Sequence, residues 1–526
     1  MAPVISPFGW RTPYLRAVHY FGRAQPLNFW DSAILDEAPA HLAQIRRDGF
    51  NAVILVVPWR GFQRTVVPST FDDVNLARLR RLVAMVQAAG LQSIVRISFP
   101  WNNDPESVGD FEERTVRLFS DREYRKGWLD YVKVIRRICE AHAGFRFAFF
   151  SWEEFPSLRE LMVYRTAAER LALAEILGFR DYLAERFDLA EISRLFGKHF
   201  ANLSEVYVPL GDCEAYRVFV DFVNHALGLL LADARTAWPR LAIQLRVDMD
   251  RMEVGGENIW IDNDLRLRDG GMRVTYFFPS MYTSGTGLVL SAAQVLANLT
   301  LMLRRVTDER RNTRHFIDQF IFHDESPQFA SWARIKSEEI PEYLLGSAAL
   351  LKRYSRGFAF WNYRDYRVNH LYNAAFIRGL QGWQARGGVT VGPEGEPRVV
   401  TLAPGAAVSQ RMQPDRVGWG TPHYETMRFA AKARTASGTG RLKLTSGGVA
   451  EVEFDVGSGE AKHVEVAFPA DRHRDGIVEF AVENIGAEPV EITDLCLWGF
   501  VYRCRLYDEH GHPGEHLAAV RAMLRV

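Results

Sequence analysis

Cysteine is scarce in this chain, four residues among 526, and Cys139, Cys213, Cys496 and Cys504 form no CxxC pair. So few thiols exclude a disulfide framework and fit a reducing compartment, with Cys496 and Cys504 the one conceivable bridge. An excess of charge is missing as well: 64 Lys plus Arg balance 64 Asp plus Glu. Without a basic surplus, nucleic acid and anionic membranes drop out as partners. No uninterrupted apolar run is long enough to span a bilayer, and the opening "MAPVISPFGWRTPYLR" lacks the basic segment, apolar stretch and small-residue cleavage site of a leader. The sequence as written is expected to be soluble and cytoplasmic; loss of a signal peptide ahead of it would make it secreted. Heptads, solenoid repeats and low-complexity tracts are absent too.

What is present is a recurring alternation. Short apolar, β-branched or aromatic runs begin at Arg16 ("RAVHY"), Asn51 ("NAVILVV"), Gln92 ("QSIVRISF"), Phe145 ("FRFAFF"), Leu241 ("LAIQLRV"), Val274 ("VTYFF"), His315 ("HFIDQFIF") and Gly357 ("GFAFW"). Between most of them lie stretches of helical period, among them "LARLRRLVAMVQAAG" from Leu76, "AAQVLANLTLMLRRV" from Ala292 and "PEYLLGSAALLKRY" from Pro341. Eight strands separated mainly by helices imply an α/β fold with a parallel sheet, and eight strands close a (β/α)8 TIM barrel. The competing doubly wound sheet would need a glycine-rich phosphate turn after its first strand, and none follows "RAVHY". A helical insertion after strand four, roughly Leu158 to Thr236, is placed to wall the C-terminal face. The link from strand five to strand six, "DRMEVGGENIWIDNDLRLRDGG", reads as loop.

After Tyr366 the texture changes to period-two alternation broken by Gly, Pro, Asn and Asp, as in "RLKLTSGG", "AEVEFDVGSGE" and "KHVEVAFPADR". Such a pattern predicts an antiparallel, jelly-roll-like β-sandwich. The expected division is therefore a barrel over residues 1–368, a sandwich over 369–508 and a tail over 509–526 holding a short helix. The histidines of "EHGHPGEH" (His510, His512 and His516) read as a polar turn before that helix, so no metal is expected.

One strand ends against its own composition. The run "FAFF" leads into "SWEEFPS", placing Glu153 and Glu154 at the end of an apolar strand, where burying an unpaired charge is costly. On a barrel, chemistry is built at the C-terminal strand ends. Strand seven likewise runs into "HDESP" (Asp324, Glu325), strand two into "PWRGF" (Trp59), strand three into "PWNND" (Trp101, Asn102), strand six into "PSMYTSG" (Tyr282) and strand eight into "FWNYRD" (Trp361). Two acids about 5–5.5 Å apart are what a retaining glycosidase requires, one protonated and one ionised.

These segments resemble the retaining glycoside hydrolases of clan A, and in local motifs their family 42 (β-galactosidase-type) members. "PWRGFQRTVVPSTFDDVNLARLRRLVAMVQAAGLQSIVRISFPW", "FRDYLAERFDLAEISRLFGKHFANLSEVYVP", "HDESPQFASW" and "GFAFWNYRD" carry the likeness. The resemblance implies that Glu154 is the acid/base and Glu325 the nucleophile. An ungapped match on "SP" and Trp332 would instead put the nucleophile at Asp324, and Glu153 stands where the clan has Asn. It also implies that Arg96 supports the site, Tyr282 hydrogen-bonds the nucleophile, Trp361 forms a sugar platform, and Trp59, Trp101 and Asn102 line the mouth. "NAAFIRGLQGW" and "VEITDLCLWGF" resemble the first and last strands of carbohydrate-binding modules. The expected partner is an oligo- or polysaccharide, with no cofactor. A transglycosylase of polysaccharide synthesis and a catalytically silent carbohydrate-binding protein stand as alternatives.

Overall fold

The computed structural model describes residues 13–24, 28–99, 110–150, 165–210, 213–254, 257–262, 273–277, 287–307, 315–323, 333–412, 426–446, 450–469 and 478–526. The apolar runs of the first two thirds form β1 (Leu15–His19), β2 (Ala52–Pro58), β3 (Gln92–Phe99), β4 (Phe145–Phe150), β5 (Ala242–Val254), β6 (Arg273–Phe277), β7 (His315–Phe320) and β8 (Ser355–Phe360). They make one curled sheet, β4-β3-β2-β1-β8-β7-β6-β5, in which every neighbour is parallel. The ends of this order meet, Phe149 beside Ala242 and Phe150 beside Ile243.

Burial on both faces explains why these strands read as continuous apolar runs. One face, with Leu15, Ala17, Ile54, Ile94, Phe149 and Phe316 among its members, forms a small inner cluster. The other joins the large cluster shared with the surrounding helices. Helix Asp73–Ala88 shows how these form: Asp72 caps it by accepting from the Asn75 amide at 2.9 Å, and Leu76, Leu79, Val83 and Val86 recur on its buried side. Between β4 and β5 the chain forms helices Ala167–Ile176, Phe179–Ala184 and Leu189–Phe196 before the long helix Glu214–Ala237. Among the described residues that last helix alone is long and apolar enough to cross a membrane; its Phe219, Leu227, Leu230 and Leu231 are buried in the large cluster beside the curled sheet.

The segment after β5 departs from the expected loop. β5 continues to Val254 and pairs antiparallel with a strand at Glu257–Asp262, with Val254 opposite Glu257. Gly-Gly between two short β-prone segments is a two-residue hairpin signal, although of the flanking segments only "RMEV" alternates and "ENIWI" does not.

The second unit has two five-stranded antiparallel sheets. Gln384–Arg386, Ala407–Met412, Val478–Asn484, Thr439–Ser446 and Ala450–Gly457 make one, in that order; Val389–Val391, Val400–Leu402, Val490–Trp498, Thr426–Thr435 and Lys462–Pro469 make the other. Leu442, Leu444, Phe429, Ala431, Val482 and Leu497 fill the space between them. None of the four cysteines forms a disulfide, so the conceivable Cys496–Cys504 bridge is not formed. Burial pushes the Cys496 thiol up to about 12, keeping it protonated at neutral pH.

Polar contacts fasten the two units. Asn28 Nδ2 donates to the carbonyls of Asn369 (2.8 Å) and Leu371 (3.1 Å), the Ala374 amide donates to Ser32 Oγ, Arg78 pairs with Glu396, and Arg378 reaches both Asp31 and Asp72.

Candidate active site

Successive inward residues on alternate strands of such a sheet stack in layers. Ala17, Ile94, Ala242 and Phe316, on β1, β3, β5 and β7, belong to the inner apolar cluster. Two residues further along the same strands stand His19, Arg96, Gln244 and Asp318, all with 0% exposure. A layer of four polar side chains thus overlies the apolar one, toward the C-terminal strand ends.

Its geometry is anchored on Asp318. The pairing of β7 shifts register between Ile317 and Phe320 on the β8 side and between Ile317 and Gln319 on the β6 side, a local bulge of the sort that re-aims side chains. Gln244 Nε2 donates to Asp318 Oδ2 at 2.6 Å, and His19 Nε2 lies 2.7 Å from the Asp318 carbonyl. A carbonyl only accepts, so His19 carries its proton on Nε2. Burial, and after it the Arg96 charge, push His19 down to about 3 despite that hydrogen bond. The imidazole is therefore neutral at neutral pH, and Arg96 is the fixed cation of the layer.

This shift has a measurable consequence. A folded pKa below the unfolded one means that the unfolded chain binds the extra proton, so stability is full above about 6.5 and declines as pH falls toward 3. At pH 5 the decline from this one group is about 2 kcal/mol. His19→Gln, which keeps a donor for Asp318, is expected to remove that part of the pH dependence when urea unfolding is compared at pH 7 and pH 5. Equal slopes in the two proteins would contradict the assignment.

At the strand ends above this layer, Trp361 packs its ring on His19 (centroids 4.7 Å apart) and Phe21 (5.1 Å). It remains 8% exposed. Its neighbour Asn362 donates to the Arg364 carbonyl at 2.8 Å. Trp59 is 2% exposed; its Nε1 donates to Gln63 Oε1 at 2.6 Å, and the Arg114 guanidinium lies 5.2 Å from its ring centre. Ser98, near the end of β3, has φ of 62°, costly for a residue with a Cβ. Its amide donates to Tyr131 Oη and its Oγ accepts from Trp128 Nε1, which holds the end of β3.

A cavity of about 460 Å³ lies where the chain leaves β1 and meets the sandwich, lined by Tyr20, Arg23, Glu37, Lys432, His463 and Asp494 among others. Arg23 pairs with Glu37 (2.9 Å) and Asp494 (3.5 Å), and Lys432 with Asp494 (3.6 Å). These charges cancel, so the cavity offers hydrogen-bonding groups without selecting an ion.

No protein-family model matches the chain, and no curated protein matches it. Solved structures of glycoside hydrolases are similar in coarse shape. A β-glucosidase, 1317, is 14% identical over 67% of this chain and 88% of its own, with a TM-score of 0.37. The exo-β-1,4-mannosidase Op5Man5 from Opitutaceae bacterium strain TAV5 is 14% identical over 67% of this chain and 52% of its own, with a TM-score of 0.40. TmCBM61, solved with β-1,4-galactotriose, is 18% identical over 25% of this chain and 99% of its own, with a TM-score of 0.19. Likeness at this level assigns no activity.

Of the residues singled out in the sequence, Arg96 and Trp361 are thus brought to the same end of the curled sheet, and Trp59 lies beside it in a buried turn after β2. Glu153, Glu154, Asp324, Glu325, Tyr282, Trp101 and Asn102 lie outside the described residues. His19, Gln244 and Asp318 are additions from the structure. Their signal in the sequence was a polar residue next to apolar ones in a strand, as Asp318 after Phe316 and Ile317 in "HFIDQF", which signals a buried partner without naming it.

Proposed function

We propose that the curled sheet is the (β/α)8 barrel of a retaining glycoside hydrolase acting on a β-linked glycan or β-glycoside. One observation carries this reading. The acid pairs follow strand ends in the chain, Glu153 and Glu154 after the last β4 residue, Phe150, and Asp324 and Glu325 after the last β7 residue, Phe320. The C-terminal ends of parallel strands are where such a fold gathers its chemistry.

In this reading the Glu325 carboxylate attacks the anomeric carbon while Glu154 gives its proton to the departing glycosidic oxygen. Glu154, now ionised, then takes a proton from water, which attacks the same carbon and releases Glu325. Glu153, adjacent to Glu154, favours the protonated acid by like-charge repulsion. Arg96 supplies fixed positive charge beneath the carboxylates, Tyr282 orients Glu325, and Trp361 offers its ring face to the sugar. Trp59, Trp101 and Asn102 line the mouth, and Asp324 holds a sugar hydroxyl beside the nucleophile.

Mechanism-based labelling tests the proposal. Incubation with a panel of 2-fluoro glycosides, followed by digestion and mass spectrometry, is expected to place the sugar on Glu325. A label on Asp324 would keep the mechanism and move the nucleophile by one residue. No label with any sugar, together with no turnover of aryl glycosides, would overturn the enzyme reading in favour of a carbohydrate-binding protein. Product analysis with an added acceptor sugar distinguishes hydrolysis from transfer.

A further inference from the structure

The last segment of the chain does not hang from the sandwich. Leu517, Val520, Met523 and Leu524 of helix Leu517–Arg525 are buried in the same cluster as the barrel strands and helices. On one side, Lys352 Nζ of helix Ile340–Tyr354, which precedes β8, donates to the Val526 carbonyl at 3.0 Å. On the other, Arg521 donates to Asp48 Oδ1 from Nε (2.9 Å) and Nη2 (2.6 Å); Asp48 ends the helix that precedes β2. That carboxylate also accepts from Tyr363 and Tyr507.

A helix lodged between the one before β8 and the one before β2 occupies the place where an alternating barrel puts the helix following β8. Here β8 leads into the sandwich, and the missing helix is supplied after it. The N-terminal end of this helix is set with equal care. His516 is 5% exposed. Its ring lies 5.0 Å from that of His323 at 66° and 5.5 Å from that of Phe322 at 74°. His323 directly precedes Asp324 and Glu325 in the chain.

We infer that the C-terminal helix completes the barrel and that His516, by packing edge-on against Phe322 and His323, is a positioning residue for the end of β7 from which the chain runs into the acid pair, an inference that rests on the glycosidase reading for its catalytic consequence. The contact is made by ring faces and edges, and aromatic pairs of this geometry favour one orientation over others. A displacement of about 1 Å at a reacting group can cost up to about 10²-fold in rate, so the loss of this packing is read in kcat.

Three variants and three measurements test it. His516→Ala is expected to lower kcat about 10-fold or more with KM within about twofold, whereas His516→Phe, which keeps a ring, restores most of it. Arg521→Ala loosens the helix at its middle, away from His516, and is expected to lower the melting temperature without changing kcat. Independently of activity, hydrogen exchange of the amides at 319–323 is expected to quicken in His516→Ala and not in His516→Phe. Unchanged exchange and unchanged kcat in His516→Ala would overturn the inference, as would failure of Phe to restore either. Should the wild type turn over no glycoside while exchange responds as expected, the glycosidase reading fails and the packing role stands on its own.

Discussion

Glu325→Gln is expected to lower kcat/KM for an aryl β-glycoside by about 10⁴-fold or more, the scale on which a covalent mechanism fails when its nucleophile is removed. Glu154→Gln is expected to lose about 10²–10⁴-fold, the usual worth of general acid–base catalysis, but in a graded way. A leaving group that is already a good one needs no proton, so the glycosyl-enzyme still forms and only its hydrolysis is slow. Added azide needs no general base and should then restore turnover, giving the β-glycosyl azide with retained configuration. The two carboxylates are thus separated by their response to leaving group and azide as well as by the size of their effects. Loss of turnover in Asp324→Asn, with Glu325→Gln active, would shift the nucleophile by one residue. If none of the three substitutions mattered, the double-displacement reading would fall.

Arg378→Met is expected to destabilise the protein by about 3–5 kcal/mol, the usual cost of leaving buried carboxylates without their partner. The Arg378 side chain is 3% exposed, against 11% for Asp31 and 7% for Asp72. Its guanidinium donates to Asp31 Oδ1 at 2.8 Å and to both oxygens of Asp72, at 2.7 and 3.0 Å. Asp72 already caps a helix and pairs with Arg64 at 2.7 Å, so removing Arg378 leaves two carboxylates facing one guanidinium. Methionine fills the space of the stem without the charge. An exposed cross-strand pair such as Arg434 and Glu491, 47% and 32% exposed, is the control, with an expected change within about 1 kcal/mol.

The same cluster sets a pH dependence. Burial alone would raise the Asp72 carboxyl, but the hydrogen bonds and charge of Arg378, the Asn75 amide and Arg64 together hold it below the ordinary carboxylate value. A folded pKa below the unfolded one contributes stability above about pH 4 that is lost as pH falls through the folded value. In Arg378→Met the folded value rises, so acid unfolding should begin at higher pH than in the wild type. Denaturant unfolding near pH 7 followed by an acid titration measures both effects. A change under 1 kcal/mol in Arg378→Met would mean that the seam is held by its other contacts.

Some elements were legible almost residue for residue. "QSIVRISF" and "FRFAFF" coincide with β3 and β4, and "AAQVLANLTLMLRRV" with helix Ala292–Val306, because a strand buried on both faces and a helix with one apolar stripe each imprint a local pattern. The hairpin after β5 was missed although Gly-Gly stood between its arms, since its strands alternate weakly and carry charges. His19, Gln244 and Asp318 were missed for another reason: each is one of several polar residues scattered through a largely apolar run, and nothing nearby in the chain says that the other two stand across the sheet.

What the sequence by itself determined is the order of strands and helices, the change to a β-sandwich after Tyr366, and the acid pairs that follow the fourth and seventh strands, all of which are local periodicities or local composition. Tertiary structure alone decided that an arginine of the sandwich segment, Arg378, is locked to Asp31 and Asp72, that four polar residues from alternate strands share one buried layer, and that the final helix returns past the sandwich to place His516 on His323. Those facts depend on contacts between residues as many as several hundred positions apart, whose free energy is collected only when the sheet curls and brings them together.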